Sequence, residues 1–310
     1  MSRHLRRTLL VLFVLGCGVL LLRRYSRLPS LEGRPVSTAV TDTRETQLGR
    51  AIFTLVEAHA NLSGIFPLRN ARDAFAARMR LAQRAECTLD VQYYIWRKDT
   101  TGTLLFQALH DAADRGVRVR LLLDDNNTSG LDPILAALDS HPNIDIRLFN
   151  PFVIRKPRLG YLTDFFRANR RMHNKSFIAD NQATIIGGRN VGDEYFGASE
   201  GVLFVDLDVL AIGPIVNKVS GDFDRYWNSA SSYPVERLLR RARSQELREL
   251  TTEAKRVEES PQALTYTNAL RESLFLQQLI DKKLEFEWAP TQIVSDDPDK
   301  GLGRAKADEL

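Results

Sequence analysis

Along the chain the spacing of apolar positions switches repeatedly between two periods. Thr88 to Trp96 is a β-branched and aromatic run that predicts a strand. Leu104, Leu105, Ala108, Leu109, Ala112 and Ala113 then recur at helical spacing, and Gly116 closes that helix. Val117, Val119, Leu121 and Leu123 alternate with Arg118, Arg120 and Leu122 up to the polar stop Asp124-Asp125-Asn126. A short helix from about Pro133 to Leu138 and a strand from Ile144 to Phe149 follow. Strand, helix, strand, helix, strand predicts an α/β layer with crossover connections. His173 to Ala179 and Gln182 to Ile186 read as two short strands joined at Asp180-Asn181, and Phe204 to Ile212 as one more. Pro214 opens a helix striped by Val219, Phe223 and Trp227, and Pro234 to Glu258 is highly charged and helical. Upstream, Glu45 to Ala58 reads as a helix, Ser63-Gly64 with Pro67 as a loop, and Asn70 or Asp73 as the cap of a helix running to Arg84.

The N-terminus stands apart. Arg3, His4, Arg6 and Arg7 precede an apolar run from Leu9 to Leu22, and Arg23, Arg24 and Arg27 follow it. The run is short for a spanning helix, and its length fits the core of an export signal, but the flanking arginines fit an uncleaved anchor. Val14-Leu15-Gly16-Cys17 is a poor lipobox, which makes a lipid on Cys17 the alternative attachment. Residues 1–27 are therefore expected to be a membrane anchor or signal segment, and 28–44, broken by Pro29, Gly33 and Pro35, a linker leaving the membrane. A catalytic domain is expected over 45–230 and a helical, bridging region over 231–310. A net charge of +4 chooses no partner, and two distant cysteines, Cys17 and Cys87, predict neither a disulfide framework nor a metal cluster.

The chemistry-bearing run is H-x-K-x4-D-x6-G-G-x-N, from His173 to Asn190. An imidazole can attack phosphorus and split one hard displacement into two easier ones. Lys175, two residues on along a strand, projects from the same face and can neutralise phosphate oxygens as charge builds on them. Gly187 and Gly188 let the backbone approach the phosphate closely, and the Asn190 amide can donate to one of its oxygens. Asp180, at the strand end, suits fixing the local turn and charge balance better than touching substrate. His59, His110 and His141 have no such context and read as ordinary histidines.

That motif resembles the phospholipase D superfamily, and the words around it resemble bacterial cardiolipin synthase C-type proteins: Leu89 to Trp96, Arg118 to Asn126, Arg147 to Phe152 and Arg170 to Lys175. The likeness runs from about Leu28 to Asp299. It implies a mixed α/β sheet flanked by helices, with one catalytic half carrying the motif at about 168–195. It implies transfer of a phosphatidyl group between phospholipids through a phosphohistidine intermediate, with no metal and no cofactor. Phosphatidylglycerol is the implied substrate, with phosphatidylethanolamine as a second one. The resemblance also implies a carboxylate on a following strand that orients the nucleophilic His. Asp206 is the candidate, Asp208 the alternative on the same strand face, and solvated or structurally paired aspartates the bland reading.

Two departures matter. Gly188 stands where many superfamily members have Ser. The family also builds one site from two motifs, one His acting as nucleophile and the other as acid, and only one motif occurs in these 310 residues. A truncated two-motif protein is the preferred expectation and a homodimer the runner-up, with Leu284 to Asp299 resembling the bridge toward a second half.

Between Arg155 and Lys175, Arg155, Lys156, Arg158, Arg167, Arg170, Arg171 and Lys175 face the single acid Asp164, with Tyr161, Phe165 and Phe166 among them. The mixture suits an anionic bilayer surface, and with the N-terminal anchor it favours lipid at a bacterial inner membrane over nucleic acid. A metal-independent nuclease or phosphodiesterase, and an inactive lipid-binding half, are the competing readings. Ala307-Asp308-Glu309-Leu310 lacks the Lys of an endoplasmic-reticulum retention signal.

Overall fold

The structure is a computed structural model, and it describes residues 3–25, 27–155, 161, 164–198, 204–272, 275, 278 and 283–303. Among them lie the strands β1 (Ser63–Leu68), β2 (Thr88–Tyr93), β3 (Arg118–Asp124), β4 (Ile144–Phe149), β5 (Ser176–Ala179), β6 (Ala183–Gly187), β7 (Asp208–Ile212), β8 (Ser232–Pro234) and β9 (Glu287–Ala289). They form one sheet in the order β8-β4-β3-β2-β5-β6-β7-β1-β9. β2, β3 and β4 are parallel, linked by the helices Thr100–Asp114 and Asp132–Leu138, and every other pairing is antiparallel. The parallel part is the α/β layer that the periodicity predicts, set within the mixed sheet that the resemblance implies.

One face of the sheet packs against the helices Ala71–Arg84 and Thr100–Asp114, burying Phe75, Leu105 and Leu109 on Leu89, Val91, Val119 and Leu121. The other face packs against the helix Pro214–Asn228 through Val216, Val219, Phe223 and Trp227 on Leu122 and Ile178. Because both faces are covered, the polar residue that alternates into β3 has no solvent to reach. Arg120 is fully buried and pairs with Asp90 at 2.6 Å and Asp224 at 2.8 Å.

Two local expectations change. Ser63–Leu68 is a strand, not a loop. Pro67 fits because β9 pairs only with Ser63, Gly64 and Ile65, so the flank of Pro67 away from β7 carries no ladder bond to lose. The strand foreseen over Phe204 to Ile212 begins only at Asp208. Residues 34–43 lie against the domain: the Arg34 guanidinium donates to the carbonyls of Ser229 and Ser232, Arg120 donates to the Ser37 carbonyl, and the Thr43 hydroxyl donates to the Asp180 carbonyl. Beyond residue 230, β8 and β9 belong to the same sheet, the helix Ser244–Glu258 packs on Thr100–Asp114 and Asp132–Leu138, and Pro261–Arg271 packs on Ala71–Arg84.

The N-terminal helix Arg3–Tyr25 leaves Leu9, Leu10, Leu12, Phe13, Val14 and Leu15 exposed, with Cys17 half-buried among them. No helix among the described residues is long and apolar enough to cross a membrane.

The β5–β6 hairpin turns at Asp180 and Asn181, both at φ +50°. The Asp180 carboxylate is buried and accepts the backbone N–H groups of Glu86, Cys87 and Thr88 at 2.7–3.1 Å, locking the entry of β2 to the hairpin. Removing it would leave three donors without their acceptor. Asp180→Ala is therefore expected to destabilise the domain by about 2–4 kcal/mol. A urea midpoint unchanged from wild type would show that the carboxylate is dispensable.

Candidate active site

The functional end of the sheet lies where β2, β3 and β4 finish and β5 begins. His173 and Lys175 stand in the segment leading into β5, ahead of its first ladder residue, Ser176. That lead-in is held from behind. Asp124, the last residue of β3, accepts the Met172 N–H at 2.9 Å and an Arg171 N–H at 3.3 Å, and the Asn150 amide donates to the Arg170 carbonyl at 2.8 Å. Burial pushes the Asp124 carboxyl up to about 7, against the opposing pull of Arg171 and of the Met172 and Asn126 N–H groups.

Tyr94, just past β2, organises the pair. Its ring lies 4.1 Å from the His173 ring at 38°, and the Lys175 ammonium sits 5.7 Å from its centroid. The Lys175 ammonium also donates to the His173 carbonyl at 2.5 Å. Burial and then the Lys175 charge lower the His173 pKa, so the imidazole is neutral at neutral pH. Burial likewise lowers the Lys175 pKa, while the charges of Asp206 and Asp208 oppose it. A neutral imidazole beside a partly desolvated ammonium can deliver a nitrogen to phosphorus and stabilise the charge that follows.

Both side chains open into a cleft of about 1320 Å³. Its walls come from Tyr94, from Arg170 and Arg171, from the helix Pro214–Asn228 and from the segment Ile293–Gly303, which runs across it after β9. The Asn150 amide donates to the Gly301 carbonyl and the Tyr226 hydroxyl to the Asp296 carbonyl, which fixes that segment in place.

The other expected site residues lie elsewhere. Asp180 occupies the far end of β5 from His173. Asn190 is buried, and its side-chain oxygen accepts the Ile95 N–H at 3.0 Å. Gly187 lines the cleft, but what demands glycine there is β7: an added Cβ would meet the Asp208 carboxylate at 2.2 Å and the Leu207 carbonyl at 2.5 Å. At Gly188 a Cβ would come within 2.3 Å of Asp206 Oδ1. A side chain at 188 would therefore require the Asp206 carboxylate to shift.

Asp208 is buried and occupied by Arg78 at 2.8 Å, by Arg189 at 3.6 Å and by the Arg189 N–H at 3.1 Å. Asp206 is half-buried beside Gly188, and its charge is felt by Lys175. Among the described residues neither carboxylate hydrogen-bonds the His173 ring. The contact that holds the ring is Tyr94, which the sequence offers only as one aromatic in a strand-like run.

The basic segment also resolves differently. Arg155 bridges Asp125 and Asp132, Arg167 pairs with Asp164, and Arg171 with Asp124. These cations are neutralised within the fold, while Arg170 is exposed on the cleft. Lys156 and Arg158 lie outside the described residues.

Comparison with known proteins matches this frame. A family model described as "Cardiolipin synthase, PLD-like domain" matches residues 79–227. Cardiolipin synthase C of Escherichia coli K12 is 53% identical over 267 residues, covering 85% of this chain and 56% of that protein. Residues 79–227 of the chain carry a PLD-like domain. An uncharacterised protein of Helicobacter pylori 26695 is 39% identical over 197 residues, 63% of this chain and 39% of that one. Among solved structures, the phospholipase D family member Nuc from Salmonella typhimurium aligns over 56% of this chain and 95% of its own, at 18% identity and a TM-score of 0.38. The chain thus spans little more than half the length of its E. coli relative.

Proposed function

We propose that the chain carries the nucleophile half of a cardiolipin synthase-like phosphatidyltransferase. The observation that carries this reading is the His173 imidazole held on Tyr94 with the Lys175 ammonium beside it, both lining an open cleft. A His173 nitrogen attacks the phosphorus of a phospholipid, and the bond from phosphorus to the headgroup oxygen breaks. The departing oxygen takes a proton from an acid on a second motif-bearing half, which a partner chain or a further segment supplies. A hydroxyl of the acceptor, phosphatidylglycerol, then attacks the phosphohistidine and breaks its P–N bond. The acceptor proton returns to the group that acted as acid. Lys175 neutralises the phosphoryl oxygens in both steps, and the charges of Asp206 and Asp208 oppose the effect of burial on its ammonium.

Lipid is favoured over nucleic acid by what surrounds the cleft. Most of the exposed large apolar side chains outside the N-terminal helix gather at this end of the sheet: Tyr161, Phe165 and Phe166 after β4, Phe204, Val205 and Leu207 before β7, and Val294 on the cleft itself. A nucleic-acid groove would instead present free cations, and most of the described ones are paired internally. The N-terminal helix adds to this reading. Its stretch from Leu9 to Leu21 presents exposed apolar side chains between basic ends, a pattern suited to lipid contact, and it would hold the domain at the inner membrane.

The test supplies this chain with the remaining part of the E. coli relative and labelled phosphatidylglycerol as donor and acceptor. Formation of a doubly phosphatidylated glycerol is expected, with label trapped on His173 after acid-free quenching. Headgroup release absent from that mixture and from a homodimer alike would end the proposal. For the docking face, Phe166→Ser with Val205→Ser is expected to weaken binding to phosphatidylglycerol vesicles at least ~10-fold, since each buried apolar side chain contributes ~1.5–3 kcal/mol. Co-sedimentation that matches wild type would place the membrane contact elsewhere.

A further inference from the structure

The cleft has a second, inner end that the transfer chemistry leaves unused. From His173 it continues between β5 and the helix Pro214–Asn228, beneath the segment after β9. Its lining is polar but poorly satisfied. Ser176 is 5% exposed, and its hydroxyl has no hydrogen-bond partner among the described residues. Gln92 is 1% exposed and donates its amide to the Met172 thioether, a weak acceptor, at 2.9 Å. Asn174, the residue between the nucleophile and the lysine, reaches Asp222 at 3.3 Å and the Ser295 hydroxyl at 3.4 Å, both long contacts. The Tyr226 hydroxyl completes the group. It keeps its proton, because burial first and Asp222 second push its pKa up to about 12, and with that proton given to the Asp296 carbonyl it faces the cleft as an acceptor.

Buried polar atoms are normally paired, and an unpaired one beside a cleft marks a place where a ligand can supply the missing bond. We infer that this inner end, formed by Gln92, Asn174, Ser176, Asp222 and Tyr226, binds the hydroxylated headgroup of the acceptor lipid. The inference rests on the phosphatidyltransferase reading and names the residues that select its acceptor.

The chemistry of the lining picks a polyol over its rivals. A second phosphate would meet the Asp222 carboxylate, whose ion-pair partner among the described residues, Arg225, is already engaged. An ammonium would find that carboxylate already paired with Arg225 at 2.5 Å. Vicinal hydroxyls, each both donor and acceptor, match a set that mixes amides, hydroxyls and one neutralised carboxylate. Asn174 ties this end to the nucleophile, because it is covalently next to His173. A polyol bound here lies one residue from the phosphohistidine, so its hydroxyl competes with water for phosphorus. Water needs no such subsite.

The readout is therefore the partition between transfer and hydrolysis. With the completed enzyme, labelled phosphatidylglycerol and a range of glycerol concentrations, Ser176→Ala and Asp222→Asn are each expected to lower the transfer-to-hydrolysis ratio ~10-fold and to raise the glycerol KM, because a site built to bond hydroxyls loses discrimination when one partner goes. An unchanged ratio in both variants, with melting temperatures that match wild type, would overturn the inference. A second measurement stands apart from turnover. Saturation-transfer NMR on the full chain is expected to show glycerol contact that Asp222→Asn weakens. No contact, or contact by ethanolamine in preference to glycerol, would overturn the inference. Headgroup release absent in wild type while glycerol contact persists would instead count against the transferase reading alone.

Discussion

Replacing His173 with Gln is expected to lower headgroup release by ~10,000-fold or more while leaving the fold intact, because the step lost is the covalent one. His173 contributes little to packing: it is exposed, and its ring touches Tyr94. A melting temperature close to wild type should accompany the lost rate. The pH profile makes the test sharper. The attacking form is the neutral imidazole, and burial together with the Lys175 charge holds its pKa below 6.5. The rate should thus stay level down to a lower pH than a free imidazole would allow, then fall as the ring takes a proton. In Lys175→Met the like charge disappears, so the imidazole pKa should rise and the acid limb should move to higher pH, on top of a ~100–1000-fold rate loss. A His173→Gln enzyme only tenfold slower than wild type would remove His173 from the nucleophile's role. An acid limb unmoved by Lys175→Met would separate the two side chains electrostatically.

What the sequence made legible was whatever repeats locally. The parallel core β2, β3 and β4 and its two helices follow from apolar spacing, and β4 begins and ends where its run does. Short strands escaped: β8 and β9 hold three residues each, too few for any period to show, and β1 was masked by Pro67. The site divides the same way. His173 and Lys175 are neighbours in sequence and are brought together at the cleft. The roles of Asp180 and Asn190 depend on backbone donors more than ninety positions away, at Glu86 and Ile95, and no local pattern announces such partners. Tyr94 lay inside a quoted strand-like run, yet nothing in that run tells which of its aromatics leaves the core. Tyr93 is fully buried, whereas Tyr94 reaches the imidazole.

Asp208 shows most clearly how two adjacent candidates part. Asp206 and Asp208 sit two residues apart, the first the preferred candidate and the second the alternative. The fold gives Asp208 to Arg78, 130 positions upstream, whose guanidinium also donates to the Tyr93 hydroxyl at 2.7 Å and to the Ala74 carbonyl. Asp208 also anchors the Arg189 backbone, while the Arg189 side chain reaches the Leu68 carbonyl, so one carboxylate joins β7, the motif loop and the end of β1. Removing one member of a buried pair leaves the other charge uncompensated, a loss of about 3–5 kcal/mol. Asp208→Ala is expected to lose that much, a large share of the ~5–15 kcal/mol that holds a typical domain together. Pairing it with Arg78→Met should recover part of the loss, because the stranded guanidinium then goes too. Urea unfolding of both single variants and the double variant measures the coupling. If Asp208 instead orients the imidazole, Asp208→Asn would keep its unfolding midpoint and shift the His173 titration. The fold predicts the reverse: a lowered midpoint, and an imidazole pKa that follows Lys175 and not Asp208.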